Sequence, residues 1–454
     1  MIEGFLARDE GKTLEFKENC RPLQGIVRTA VAFANTAGGT IVIGVKDKTK
    51  EVIGIADPLL NEERLANAFA DGIRPLLVPD IQIHAWRKRQ LLVVTVPHAV
   101  GPFYVRSEGS EAGVYIRLGS TNRPAGPELL AELQRLARNT FFDEQPCSET
   151  NSDDIDVRAA SEFFAAVSRP LSPAKQRSLG LLVGQGTRAV PSIGAVLLFG
   201  KTRGRLFPSA TIRCARFLGK DTAKFLDQTE IDEYLPKSVD SAVAFIERHT
   251  RQGIEIGRVR RRDVPEYPVE AVREAIINAI VHADYSIGGA GTKIAIFDDR
   301  IEITNPGLLP FGLTLEAALA GVSRLRNRVI GRTFRELGLI EQWGSGLGRI
   351  TVACANAGQP APRFEELGTN FRVTLFGERV KAPAQPEWQS ELLGYLAKKN
   401  RISTRVAGEL WKIPDRTARR RLRRLVDDGL LVEVGSGPKD PYRAYVLREE
   451  RRGR

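Results

Sequence analysis

Residues 267–283, YPVEAVREAIINAIVHA, constrain this chain more than any other stretch. Val269, Val272, Ala275, Ile276, Ile277, Ala279, Ile280 and Val281 make the predicted helix apolar nearly all round, so it belongs inside a core. Glu274, Asn278 and His282 recur at spacing four, which aligns them along one side of that helix. A carboxylate and an amide on a buried helix are costly unless they have partners. The stripe is therefore either an internally satisfied hydrogen-bond network or one wall of a ligand pocket, and the pocket is the stronger reading.

The sequence that follows favours a phosphate-bearing ligand. Lys293–Phe297 and Arg300–Thr304 are β runs joined by Asp298-Asp299, and the second leads into Asn305-Pro306-Gly307. After a further predicted helix comes Gly344-Ser345-Gly346-Leu347-Gly348-Arg349. Glycines at the start of a helix let backbone N–H groups approach phosphate oxygens. Alone they also fit a plain loop; beside a Glu-x3-Asn helix they carry more weight.

Through EAIINAIVHADY, IEITNPGLLP, SRLRNRVI and GLIEQWGSGLGRI, residues 266–376 resemble a divergent Bergerat-type ATP-binding α/β sandwich. That superfamily includes gyrase, heat-shock chaperones, histidine kinases and mismatch-repair proteins. The resemblance implies ATP with magnesium, Asn278 as the metal ligand and Glu274 orienting or deprotonating the attacking water. It places Gly344, Gly346 and Gly348 along the phosphates, with His282, Asn305 and Gly307 in the same pocket. Asn305 stands where the superfamily usually has an aspartate that reads the adenine amino group, and an asparagine carbonyl can accept the same hydrogen bond. ATP binding is expected, and hydrolysis is left open. No G-x4-G-K-[ST] loop is present, which removes a P-loop helicase.

The N-terminal region mixes strand and helix signals. Thr13–Lys17 alternates, with Leu14 and Phe16 turned to a core and Glu15 and Lys17 turned away from it. Gln24–Asn35 is a predicted helix closed by Gly38-Gly39, and Thr40–Val45 is a continuous apolar β run. Glu10, Glu15 and Asp47 lie near Lys17 in this reading; carboxylates held together can ligate a divalent metal that activates water. Spacing alone favours an ordinary solvated strand face.

EGKTLEFKE and AVAFANTAGGTIVIGVKDKTKEVIGI resemble the Schlafen-type AlbA domain over roughly residues 5–125. The resemblance implies a nucleic-acid-binding domain. In the Schlafen branch it implies RNA cleavage by Glu10, Glu15 and Asp47 with manganese or magnesium, Lys17 steadying the phosphate. Lys46-Asp47 stands where two acids often follow the Gly-Val pair. Many bacterial relatives are described only as DNA-binding, so both readings stay open.

At the other end, residues 389–400, 403–411 and 415–428 are three predicted helices, followed by β runs that bracket GSGPKDP. This is a winged helix-turn-helix pattern. A hundred-degree projection of DRTARRRLRRLVDDG puts Arg416, Arg419, Arg420, Arg423 and Arg424 on one side. Ala418, Leu422, Leu425 and Val426 occupy the other. One face packs and the other is free to enter a groove or track phosphates.

The formal charge is +12, from 67 basic and 55 acidic residues, which favours polyanionic partners. Four scattered cysteines and four histidines exclude a zinc ribbon or disulfide framework and suit a reducing cytoplasm. Apolar runs such as Leu91–Val96 fall short of the roughly 18 residues of a membrane span. The expected fold is α+β and multidomain. Its parts are 1–142 (AlbA-type), 157–265 (connector), 266–378 (ATP-binding) and 388–450 (winged helix-turn-helix), and the acidic segment 143–156 is expected to be a linker. The expected partners are nucleic acid, DNA first with RNA as the alternative, and no membrane; a homo-oligomer is compatible. A nucleotide-gated DNA-binding regulator is favoured over a metal-dependent ribonuclease acting in defence.

Overall fold

The computed structural model describes residues 2–185, 188–250, 252–256, 261–289, 291–340, 346–377, 387–427, 431–434 and 444–447. The chain divides into two units, Met1–Glu378 and Arg379–Arg454. Among the described residues no helix is long and apolar enough to cross a membrane.

The first unit opens with a four-stranded sheet in the order Leu14–Lys17, Gly39–Ile43, Arg89–Val96, Asp80–Trp86. The first pair is parallel and the others antiparallel. Ile41–Ile43 of the second strand is continuously apolar because both faces of the strand are covered there. Ile41 and Ile43 join the core under the helices Leu23–Thr36 and Pro58–Gly72, whereas Val42 joins Leu14, Phe16 and Val93 on the opposite face. Glu15 departs from expectation. It is buried at 5% exposure, because Arg117 of the later strand Tyr115–Leu118 covers that side of the sheet.

The acidic segment 143–156 is built into the fold. Asp143 is fully buried and accepts the backbone N–H groups of Arg328 (3.0 Å), Val329 (2.6 Å) and Ile330 (3.0 Å). It thereby satisfies the unpaired donors that open the helix Arg328–Glu336. Asn151 and Asp154 form a reciprocal capping box farther along. A composition of Asp, Ser and Asn suits caps as well as linkers, which is why the sequence read as a linker.

The stretch expected to be a separate connector supplies two strands to the next sheet. That sheet has six strands in the order Phe225–Ile231, Ile212–Phe217, Thr292–Ile296, Arg300–Pro306, Asn370–Phe376, Arg363–Leu367. Ile212–Phe217 pairs in parallel with Thr292–Ile296, so one sheet spans the boundary expected at residue 265. Thr292–Ile296 buries Thr292, Ile294 and Ile296, and without the neighbouring strand one edge of its backbone would be unpaired. The helix Val269–His282 lies in the core formed with this sheet, with all the apolar positions from Ala271 to Val281 buried. Val269 remains 40% exposed at the helix start.

The second unit has the helices Glu387–Lys399, Thr404–Trp411 and Asp415–Asp427 and an antiparallel hairpin, Leu431–Val434 with Ala444–Leu447. Residues 435–443, the expected wing tip, lie outside the described residues. Its core joins Leu392, Leu396, Trp411, Ala418, Leu422, Leu425 and Tyr445.

Candidate functional site

Helical spacing brings Glu274, Asn278 and His282 to one cavity, where Asn305 and Gly346 join them from a strand end and the start of the helix Gly346–Asn356. Leu308, Leu313, Phe371 and Val373 make most of the remaining wall apolar. Asn278 Nδ2 donates to Glu274 Oε1 at 3.2 Å. Arg349 Nη2 donates to Glu274 Oε2 at 2.6 Å. Burial pushes the His282 imidazole down to about 4, so it is neutral near pH 7. Its Nδ1 is buried with no hydrogen-bond partner among the described residues. An unpartnered buried nitrogen leaves the stripe incompletely satisfied from within, so a water or a ligand can complete it.

Gly346 is fixed by close approach. A Cβ there would stand 2.6 Å from Asn278 Nδ2 and 2.8 Å from Glu274 Oε1. The helix start therefore rests directly on the polar stripe and leaves a cavity of only about 110 Å³. Small-molecule pockets run to roughly 300–1,000 Å³, so this cavity is small for a nucleotide. Asn278 and Glu274 could together hold a magnesium ion, which would supply positive charge to phosphates; in this structure the amide Nδ2 faces Glu274 and both Glu274 oxygens are hydrogen-bonded. Gly307 (φ +97°) and Gly348 do not line this cavity. A Cβ at Gly307 would meet Arg326 Nη1 at 2.5 Å, so that glycine serves arginine packing. Gly344 lies outside the described residues.

The N-terminal acids are only partly assembled. Glu10 Oε1 accepts the Phe16 N–H at 2.6 Å, and the exposed Asp47 is the acid near enough, with Glu15, to raise the Glu10 pKa. Glu15 is engaged elsewhere, with one oxygen paired to Lys17 and the other to the buried Arg117 guanidinium. Two cations on one carboxylate oppose a metal ion there. Among the described residues no group of three Asp, Glu, His or Cys side chains is placed to hold a metal. Lys17 consequently serves Glu15. Sequence reasoning missed Arg117, which has no local signal, and Arg349, which directly follows the Gly-Leu-Gly run.

Burial, and then the nearby Glu15 and Asp47 charges, push the Glu10 carboxyl up from 4.5 to about 6, against the Phe16 N–H that favours its ionised form. The folded protein therefore holds this proton more tightly than the unfolded chain. The associated stabilisation is complete below pH 4.5 and is lost as pH rises through about 6. Glu10→Gln, which stays neutral, is expected to flatten the fall in Tm across that window relative to the parent. Superimposable Tm–pH curves for the two proteins would contradict the raised pKa.

On the helix Asp415–Asp427, Arg416, Arg419, Arg420, Arg423 and Arg424 are exposed, while Ala418, Leu422 and Leu425 are buried and Val426 is half-buried. Arg421 leaves this face and stacks near Trp388 (4.8 Å) and Trp411 (5.6 Å).

Two family models match parts of the chain. Residues 10–126 match the one described as Schlafen, AlbA_2. Residues 289–375 match HATPase_c_4, described as putative ATP-dependent DNA helicase recG C-terminal. Glu274, Asn278 and the second unit lie outside both matched ranges. The chain is also similar to the solved DIP2311 protein of Corynebacterium diphtheriae, at 20% identity over 98% of this chain and 96% of that one, with a TM-score of 0.45. A second solved structure is the N-terminal domain of a putative ATP-dependent DNA helicase RecG-related protein of Nitrosomonas europaea. It is 28% identical over 28% of this chain and 90% of that one, with a TM-score of 0.23. No curated protein matches the chain.

Proposed function

We propose that this protein is a nucleotide-responsive, DNA-binding regulator. Residues 1–142 act as an AlbA-type nucleic-acid-binding domain, 266–378 as the core of the ATP-binding domain, and 388–450 as a winged helix-turn-helix. The observation that carries the reading is the cavity that brings together Glu274, Asn278, His282, Asn305 and Gly346. ATP with magnesium would occupy it, Asn278 taking the metal and Glu274 the water once Arg349 lets go. The exposed arginines of Asp415–Asp427 are the duplex-reading face.

Paired Arg420→Ala and Arg423→Ala substitutions are expected to weaken duplex binding. They should also flatten its dependence on log salt by about 1.8, at roughly 0.9 per lost phosphate contact. Titration of a fluorescent duplex at several salt concentrations, with and without ATP and magnesium, tests both halves. ATP should shift duplex affinity in the parent, and duplex should shift ATP affinity by the same factor. An unchanged slope in the paired variant would make this unit a protein-contact module. Equal affinities with and without ATP would end the nucleotide-responsive reading.

A metal-dependent nuclease is the second reading, favoured by the Glu10–Asp47 pair. A manganese or magnesium ion binding there would favour the ionised form of Glu10. Glu15, held by Arg117 and Lys17, argues against it.

A further inference from the structure

Residues from the helices Pro127–Ala137 and Arg328–Glu336 line a second cavity, of about 700 Å³. It lies within the size range of small-molecule sites. Its wall carries Arg135, Arg324, Arg326, Arg328, Arg332 and Arg335. Each of the two acids on the same wall is engaged through one oxygen, while Glu132 Oε2 and Asp284 Oδ2 have no partner among the described residues. Glu132 accepts from Arg326 at 3.0 Å, and one Asp284 oxygen accepts from the Ser286 N–H at 3.0 Å and hydroxyl at 2.5 Å. Arg326, fully buried, also donates to the carbonyls of His282 and Leu308, so its charge is spent on joining elements. Arg332 is paired with Glu144 at 2.8 Å.

Four arginines remain. Arg135, Arg324, Arg328 and Arg335 have no carboxylate within ion-pair distance among the described residues; Arg324 donates to the Phe311 carbonyl at 3.0 Å and Arg135 to Ser286 Oγ at 3.3 Å, neutral partners that leave their charge uncompensated. The Arg328 guanidinium lies 3.6 Å from the centroid of the Phe141 ring, and Arg135 lies 5.4 Å from that of Phe142. These contacts restrict the side chains before any ligand arrives, so less freedom is lost on binding. Like charges converging on one concavity raise its potential, and a guanidinium fork matches phosphoryl oxygens in two-point geometry. Phe141, Phe142 and Ile340 add an apolar wall suited to a planar base.

We propose that this cavity is an anion site distinct from the Glu274–Asn278 pocket, built for the phosphates of a nucleotide, free or at the end of a nucleic-acid strand. It needs no metal, because the arginines supply the positive charge. It adjoins the first pocket through Pro310, Ser323, Arg324, Leu325 and Ile340, which line both.

The test uses the full chain in EDTA, where the metal-dependent pocket is silent. Calorimetric titration with tripolyphosphate and with a nucleoside triphosphate should find one site in both the parent and Asn278→Ala. Arg328→Gln combined with Arg335→Gln should weaken it by about tenfold per arginine removed. Arg335→Gln alone, at an exposed side chain, keeps the test valid should the pair fold poorly. Single-stranded oligonucleotides with and without a 5′-phosphate, titrated in an Arg420→Ala/Arg423→Ala background, separate the sources. A 5′-phosphate preference lost in the cavity variant assigns strand ends, and binding of the triphosphate alone assigns free nucleotide. Parent-like binding of every probe by the cavity variants, or no binding by the parent, would overturn the proposal.

Discussion

Asn278→Ala is expected to leave the protein folded and to weaken magnesium-dependent ATP binding by about a hundredfold, the scale of one lost charge-assisted contact. Asn278 is only partly buried, and its one described side-chain bond is the 3.2 Å contact to Glu274, so its loss costs the fold little. What disappears is the amide oxygen proposed for the metal. Glu274→Gln should behave oppositely. It keeps the side-chain volume, removes the charge that holds Arg349, and so should retain or tighten ATP binding while losing any hydrolysis. Calorimetry with ATP and magnesium, followed by a phosphate-release assay, distinguishes the two roles. Parent-like ATP binding in both variants would mean that the stripe only stabilises the core.

Glu15→Ala should destabilise the N-terminal part of the first unit by about 3–5 kcal/mol, the usual cost of leaving one member of a buried ion pair uncompensated. Arg117 is 1% exposed. Its guanidinium donates to the Gly11 carbonyl at 3.0 Å, to Asn122 Oδ1 at 2.9 Å and to Glu15, and lies 5.2 Å from the Phe33 ring centroid. The neutral acceptors persist after Glu15→Ala, but no carboxylate would balance the buried charge. Denaturant unfolding should show the loss in the transition that includes this sheet. Glu15→Leu with Arg117→Met should cost less than the sum of the single changes, because the two sites are coupled. A Glu15→Ala midpoint equal to that of the parent would remove the ion pair from the stability of the domain. The same reasoning makes Glu10→Gln the better probe of nuclease activity, since lost cleavage in Glu15→Ala would be inseparable from unfolding.

Several features were legible in the residues because their signal is local. The apolar positions of Val269–His282 and its polar stripe follow from a period of 3.6, and the two faces of Asp415–Asp427 follow from the same rule. The strands Leu14–Lys17 and Gly39–Ile43 follow from alternation and from a short apolar run. Glu15 was misplaced by that same alternation. The pattern gives the side of the strand a residue occupies, but not what later covers that side.

The sequence by itself therefore determined several helices and strands, which helix must be buried, and where a polar stripe and an arginine face lie. Tertiary structure alone decided the pairings. Arg117 reaches Glu15 across 102 residues, Asp143 caps a helix start 185 residues on, and Ile212–Phe217 joins a sheet whose neighbouring strand begins at Thr292. The arginine cavity is likewise assembled from residues 132–142 and 323–340 with Asp284, Pro310 and Phe311, and no one of these stretches shows a site alone. Periodicity records how a segment meets its immediate surroundings over a few turns or pleats. Charge neutralisation, sheet order and cavity walls depend on contacts between distant surfaces, and these leave no spacing in the chain to be read.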